Sequence, residues 1–106
     1  MAVSIHAFKM QLKPGVLDEY RKRHDEIWPE LSALLTESGI YDYSIFLDEQ
    51  TLSLFAVLRV RADSNRDALP EHPVMKRWWD SMAPLMEVEP DNRPKEWALP
   101  LIFHHA

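Results

Sequence analysis

Between Leu17 and Leu34 the chain repeats itself every three or four residues. Leu17, Tyr20, His24, Ile27 or Trp28, Leu31 and Leu34 form one stripe, and Asp18, Glu19, Arg21, Lys22, Arg23, Asp25 and Glu26 fill the positions between. That period is helical, and it sets a charged face against a buried one. The helix is expected from Val16 to Ser38. Pro29 lacks an N–H and crowds the turn before it, so the helix should break into two pieces near Trp28-Pro29, with Gly39 as the C-terminal stop. Tyr20 and His24 lie one turn apart on the buried stripe. A phenol or imidazole turned inward without a partner is costly, so something polar must meet them.

Elsewhere the pattern shortens to a period of two. Val3 to Leu12 reads as a first strand, closed by Pro14-Gly15. Tyr41, Tyr43, Ile45 and Leu47 alternate with Asp42, Ser44, Phe46 and Asp48 in a second. Leu52, Leu54, Ala56, Leu58 and Val60 share one face of a third, with Phe55 and Val57 on the other. The polar link from Asp48 to Thr51 joins the last two as a β-hairpin. Ala62 to Glu71 reads as a short polar helix ending at Pro70. His72-Pro73 opens another helix, with Met75, Trp78 or Trp79, Met82 and Leu85 on one stripe. A turn-rich loop covers Glu87 to Lys95. Glu96 to His105 is the expected fourth strand, placed at an edge or bulge by Pro100.

The order β-α-β-β-α-β defines a ferredoxin-like α+β plan for one domain over residues 1–106. One observation does not fit a sheet with a wet outer face. Phe46, Phe55 and Val57, along with Phe8 and Met10 or their alternates, occupy the side that should meet water. A second sheet from another copy of the chain, a homodimer, is the simplest cover.

Composition narrows the function. Seventeen acidic residues against twelve basic ones give a net charge of -5, and the Arg21-Lys22-Arg23 run is flanked by acids. Nucleic-acid and anionic-membrane partners are disfavoured. No cysteine is present, so disulfides and thiol chemistry are excluded. No apolar run approaches about 20 residues, the length of a membrane span. The N-terminus shows no signal-peptide pattern, and a soluble cytoplasmic protein is expected.

His24 is the leading candidate for chemistry, because imidazole exchanges protons near neutral pH. The structural alternative is a core histidine satisfied by a neighbour. Tyr20 shares its stripe, and Tyr43 reaches the same place if the hairpin packs beneath the helix. Trp78 and Trp79 diverge by ~100° on their helix, so one can pack while the other lines a cleft; both could also be plain core residues. The five histidines show no metal-ligand spacing, and with Gly15 and Gly39 as the only glycines there is no phosphate-binding loop. What remains is an aromatic pocket with one histidine, suited to acid–base work on a small, neutral, hydroxylated molecule.

Glu19-Tyr-Arg-Lys-Arg-His-Asp-Glu-Ile-Trp-Pro-Glu-Leu31 resembles the E-Y-x-x-R-H-x-x-I-W-P-E-L signature of L-rhamnose mutarotases. The similarity runs on through residues 43–48, Leu54-Phe-Ala56, Arg77-Trp-Trp79, Met82, Met86 and Pro90-Asp-Asn92. It implies a dimeric α+β barrel, two four-stranded sheets packed face to face. It implies an isomerase that interconverts the α and β anomers of L-rhamnose at C1, without metal or organic cofactor. By the same resemblance His24 is the proton donor, and Tyr20, Tyr43, Trp78 and Trp79 bind the sugar. The expected mechanism has His24 protonate the ring oxygen on opening and recover the proton on closing. Alternatives on the same barrel are a cofactor-free monooxygenase, a haem-degrading relative, or a non-catalytic ligand-binding dimer. The ending from Glu96 onward departs from the family's short one, and Leu69-Pro-Glu-His-Pro73 adds prolines ahead of the last helix.

Overall fold

The computed structural model describes residues 3–106; the reading of Met1 and Ala2 lies outside them. Strand β1 (Val3–Gln11) leads into helices α1 (Leu17–Asp25) and α2 (Pro29–Glu37), then strands β2 (Ile40–Asp48) and β3 (Ser53–Arg61). A 3-10 segment (Arg66–Glu71), helix α3 (Pro73–Met82), a second 3-10 segment (Ala83–Leu85) and the two-residue strand β4 (Trp97–Ala98) complete the order. The strands form one antiparallel sheet in the order β2-β3-β1-β4. This is the expected ferredoxin-like α+β plan.

The helical stretch breaks where proline dictates. Trp28 is extended (φ −61°, ψ 130°), as a residue before proline prefers, and Pro29 opens α2 where its missing N–H costs nothing. Gly39 follows α2 with φ +85°, and its N–H donates to the Thr36 carbonyl at 3.0 Å. A Cβ there would stand 3.0 Å from the Cβ of Ser64, so this turn needs glycine for both conformation and space.

The register of the sheet decides which residues face the helices. Phe8 and Met10 pair with Ala56 and Leu54, and all four are buried under α1, α2 and α3. Of the two sets left open for the other face, Phe8 and Met10 or their alternates, the alternates Ala7 and Lys9 lie there, opposite Val57 and Phe55. A bulge lies between Tyr41 and Ser44, where Asp42 takes φ +49°. Without the extra residue, Ile40 and Ile45 would point to opposite faces; with it, both lie on the helix side, opposite Val60 and Ala56. Tyr41, expected beside Tyr43, is thereby turned to the outer face, opposite Arg59. Leu52, expected inside β3, sits in the hairpin turn with φ +62° and donates to the Asp48 carbonyl at 2.7 Å.

Two other expectations change. The polar helix over 62–71 is a 3-10 segment of Arg66–Glu71 that contains Pro70. His72 caps α3, its Nδ1 accepting the Val74 N–H at 3.2 Å. The fourth strand does not run from Glu96 to His105. The chain first meets β1 at Met86, opposite Leu12, leaves on an excursion, and returns at Trp97, opposite Lys9. Pairing ends with the Leu99 N–H on the Ala7 carbonyl at 3.0 Å, because Pro100 has no N–H to continue it. Beyond it Leu101, Ile102 and Phe103 are exposed, Ile102 by 90%.

Candidate active site

His24 lies in the last turn of α1, which ends at Asp25. Its Nδ1 sits 3.0 Å from the Tyr20 carbonyl one turn back. A carbonyl can only accept, so Nδ1 carries the proton and Nε2 is left with the free lone pair. The ring packs 4.3 Å from the Tyr20 ring and edge-on to Trp78 at 5.4 Å. Trp28, at the joint between α1 and α2, also meets Trp78 edge-on, at 5.2 Å. Trp78 is 7% exposed, so the imidazole is held by rigid aromatic walls. Burial pushes the His24 pKa below its ordinary 6.5, against the opposing pull of the Tyr20 carbonyl and Asp25. Neutral imidazole is therefore the resting form at pH 7.

Tyr43 arrives from β2, just past the bulge, and its ring stands edge-on to Phe8 at 6.5 Å. It lines the cleft and remains 38% exposed. Burial raises its pKa, helped by Glu96 and opposed by Arg66; burial also raises that of Tyr20, with a contribution from Tyr43. Both phenols stay protonated through the physiological range and act as hydrogen-bonding groups.

All five residues singled out in the sequence, Tyr20, His24, Tyr43, Trp78 and Trp79, line one cleft of about 500 Å³. A second recess of about 640 Å³ shares Tyr20, His24, Tyr43 and Trp78, and is walled by aliphatic residues such as Leu17, Ile27 and Leu54. Both volumes fall in the range of small-molecule sites. Trp79, half-buried, has the Arg93 guanidinium over its ring at 5.7 Å, so part of its face is already covered.

Sequence reasoning missed the polar rim. Arg66 comes from the 3-10 segment, and Arg93 and Glu96 come from the excursion between Met86 and Trp97. Nothing local marks these residues as cleft-lining, because the packing of the 3-10 segment and the return of the chain to β1 bring them to it. Burial raises the Glu96 pKa against the pull of Arg93 and Arg66.

The fold and cleft together define a small α+β protein with an aromatic cleft that holds one histidine. The chain matches the family model described as L-rhamnose mutarotase over residues 6–105. It is 63% identical over 99 residues to an L-rhamnose mutarotase of Jannaschia sp. (strain CCS1), covering 93% of this chain and 95% of that one. It is 56% identical over 104 residues to the L-rhamnose mutarotase of Rhizobium johnstonii, covering 98% of both. The crystal structure of an L-rhamnose mutarotase from Formosa agariphila superposes with a TM-score of 0.90 at 43% identity, covering 97% of this chain and 99% of that one. The chain belongs to the L-rhamnose mutarotase family.

Proposed function

We propose that this chain is an isomerase that interconverts the α and β anomers of L-rhamnose, working as a cytoplasmic homodimer of single domains spanning residues 1–106. The observation that carries the reading is the state of His24: a neutral imidazole with Nδ1–H tied to the Tyr20 carbonyl and Nε2 free beside a sugar-sized cleft.

Mutarotation needs the O1 proton removed and the ring oxygen protonated. Nε2 of His24 takes the proton from O1–H as the bond between C1 and the ring oxygen breaks and O1 becomes the aldehyde oxygen. The imidazolium so formed is stabilised by the Tyr20 carbonyl and by the C-terminal end of α1. It then gives its proton to the ring oxygen, which leaves as a hydroxyl. Rotation about C1–C2 presents the other face of the aldehyde, and closure reverses both transfers. His24 is thus the proton donor to the ring oxygen, and the depressed pKa makes the donated proton one it has just taken from O1. Tyr20 and Tyr43 hold hydroxyls, and Trp78 and Trp79 offer flat apolar surface to the C–H face of the sugar.

The homodimer rests on the outer sheet face, where Phe46 is 62% and Trp97 45% exposed beside Phe55 and Val57. A second sheet packed there would close the barrel that the resemblance implies. Among the described residues no helix is long and apolar enough to cross a membrane.

NMR exchange spectroscopy on equilibrated L-rhamnose tests the reading. The expected result is α-to-β exchange far above the spontaneous rate, proportional to enzyme, with L-mannose as comparator. Exchange indistinguishable from buffer would overturn it.

A further inference from the structure

His24 stands where the two recesses meet, and the recesses differ in chemistry. One is walled mainly by aliphatic side chains such as Leu17 and Leu54, with Arg21 and Asp25 of α1 among its lining. The other alone is lined by Arg66, Arg93 and Glu96. An aldohexopyranose has a matching asymmetry about its reacting carbon. On one side of C1 lie the ring oxygen, C5 and its substituent, a methyl group in a 6-deoxy sugar. On the other lie C2 and C3 with their hydroxyls. With C1 at His24, a 6-deoxy sugar that puts its methyl against the aliphatic side chains of the first turns its 2- and 3-hydroxyls toward the recess that holds Arg66, Arg93 and Glu96.

Those charged groups are available. Among the described residues none of the three side chains forms a salt bridge, although Arg66 and Arg93 both lie within electrostatic reach of Glu96. A hydroxyl both donates and accepts, and a guanidinium beside a carboxylate supplies the complementary acceptor and donor. Glu96 lines the cleft as an exposed side chain, so its carboxylate is open to a sugar hydroxyl. Their position on the excursion and on the 3-10 segment places all three away from the helix that carries His24.

We propose that Glu96, assisted by Arg66, reads the 2- and 3-hydroxyls of the sugar and so sets the preference for the cis 2,3-diol over its 2-epimer. The inference rests on the mutarotase reading and on His24 as the group at C1. Glu96 is then a specificity-determining residue, distinct from the proton-transfer group.

The test compares anomer exchange of L-rhamnose and 6-deoxy-L-glucose, its 2-epimer, by NMR on the purified full chain. The wild type is expected to prefer L-rhamnose in kcat/KM. Glu96→Ala is expected to shrink that preference by about 10- to 100-fold, the worth of a hydrogen bond to a charged group. Arg66→Met should move the ratio in the same direction. A ratio in Glu96→Ala within fivefold of wild type, or a wild type that exchanges both sugars equally, overturns the inference. Equal losses on both sugars do so as well, because they would mark a structural role. Failure of the underlying reading looks different: the wild type would not exchange L-rhamnose at all.

Discussion

The inner and outer faces of the sheet are made by alternate residues of the same strands, and their surroundings differ sharply. Inward, Phe8, Met10, Leu54, Ala56 and Leu58 are buried by helices of the same chain, and the cleft is the gap left where the helices part. Outward, Phe46, Val57 and Trp97 remain open, with Lys9 lying over the Trp97 ring at 5.4 Å. The inner face buries its apolar surface locally and so can hold polar groups such as His24 in fixed geometry. The outer face combines exposed apolar surface with the solvent-exposed Arg59–Asp42 ion pair, which suits association better than chemistry.

The sharpest way to separate the faces is to damage one and read both. His24→Ala is expected to lower anomer exchange by roughly 10² to 10⁴, the usual worth of general acid–base catalysis, with self-association unchanged by sedimentation. Near-full exchange in that variant would end the assignment. On the other face, Val57→Asp buries a charge at the proposed contact. Its dimer dissociation constant should rise about 100-fold or more, as like charges facing across a two-fold axis cost several kcal/mol. An unchanged mass in sedimentation would show that the outer face is not the contact.

Two smaller effects refine the picture. Gly39→Ala forces an L side chain to φ +85° against Ser64 and touches neither face. A loss of about 1–2 kcal/mol is expected, seen as a Tm lowered by several degrees with exchange intact. For pH, the His24 pKa is lower in the folded protein than the ordinary 6.5. The unfolded chain therefore binds the proton more readily, so the stability from this residue is full above about pH 6.5 and falls as pH drops below it. Exchange should follow the same direction: flat above that pH, declining below it as Nε2 is protonated. A decline already under way at pH 7.5 would contradict the depressed pKa.

Much of this was legible in the chain itself. The two helical pieces, the proline joint, the glycine stop and the hairpin depend on residues within a few positions of one another, and local sterics fix them. The five candidate site residues were legible for a related reason. A helical period places Tyr20 and His24 together, an alternating pattern groups Tyr43 with Ile45 and Leu47, and the stripe of the last helix takes Trp78 or Trp79. The failures cluster where distant segments pair. Tyr41 changes face because a bulge reconciles Ile40 with Ile45 across β3. The expected strand from Glu96 shrinks to Trp97–Ala98 because Pro100 ends its pairing with β1.

Sequence alone determined the local elements, the aromatic character of the site and its one candidate base, since period, proline and residue chemistry act over short stretches of chain. Only the tertiary structure decided which face each β2 residue takes, which nitrogen of His24 is free, and that Arg66, Arg93 and Glu96 border the cleft. Those outcomes depend on register and burial between segments far apart in sequence, where one residue of slip moves a side chain to the other side of the sheet.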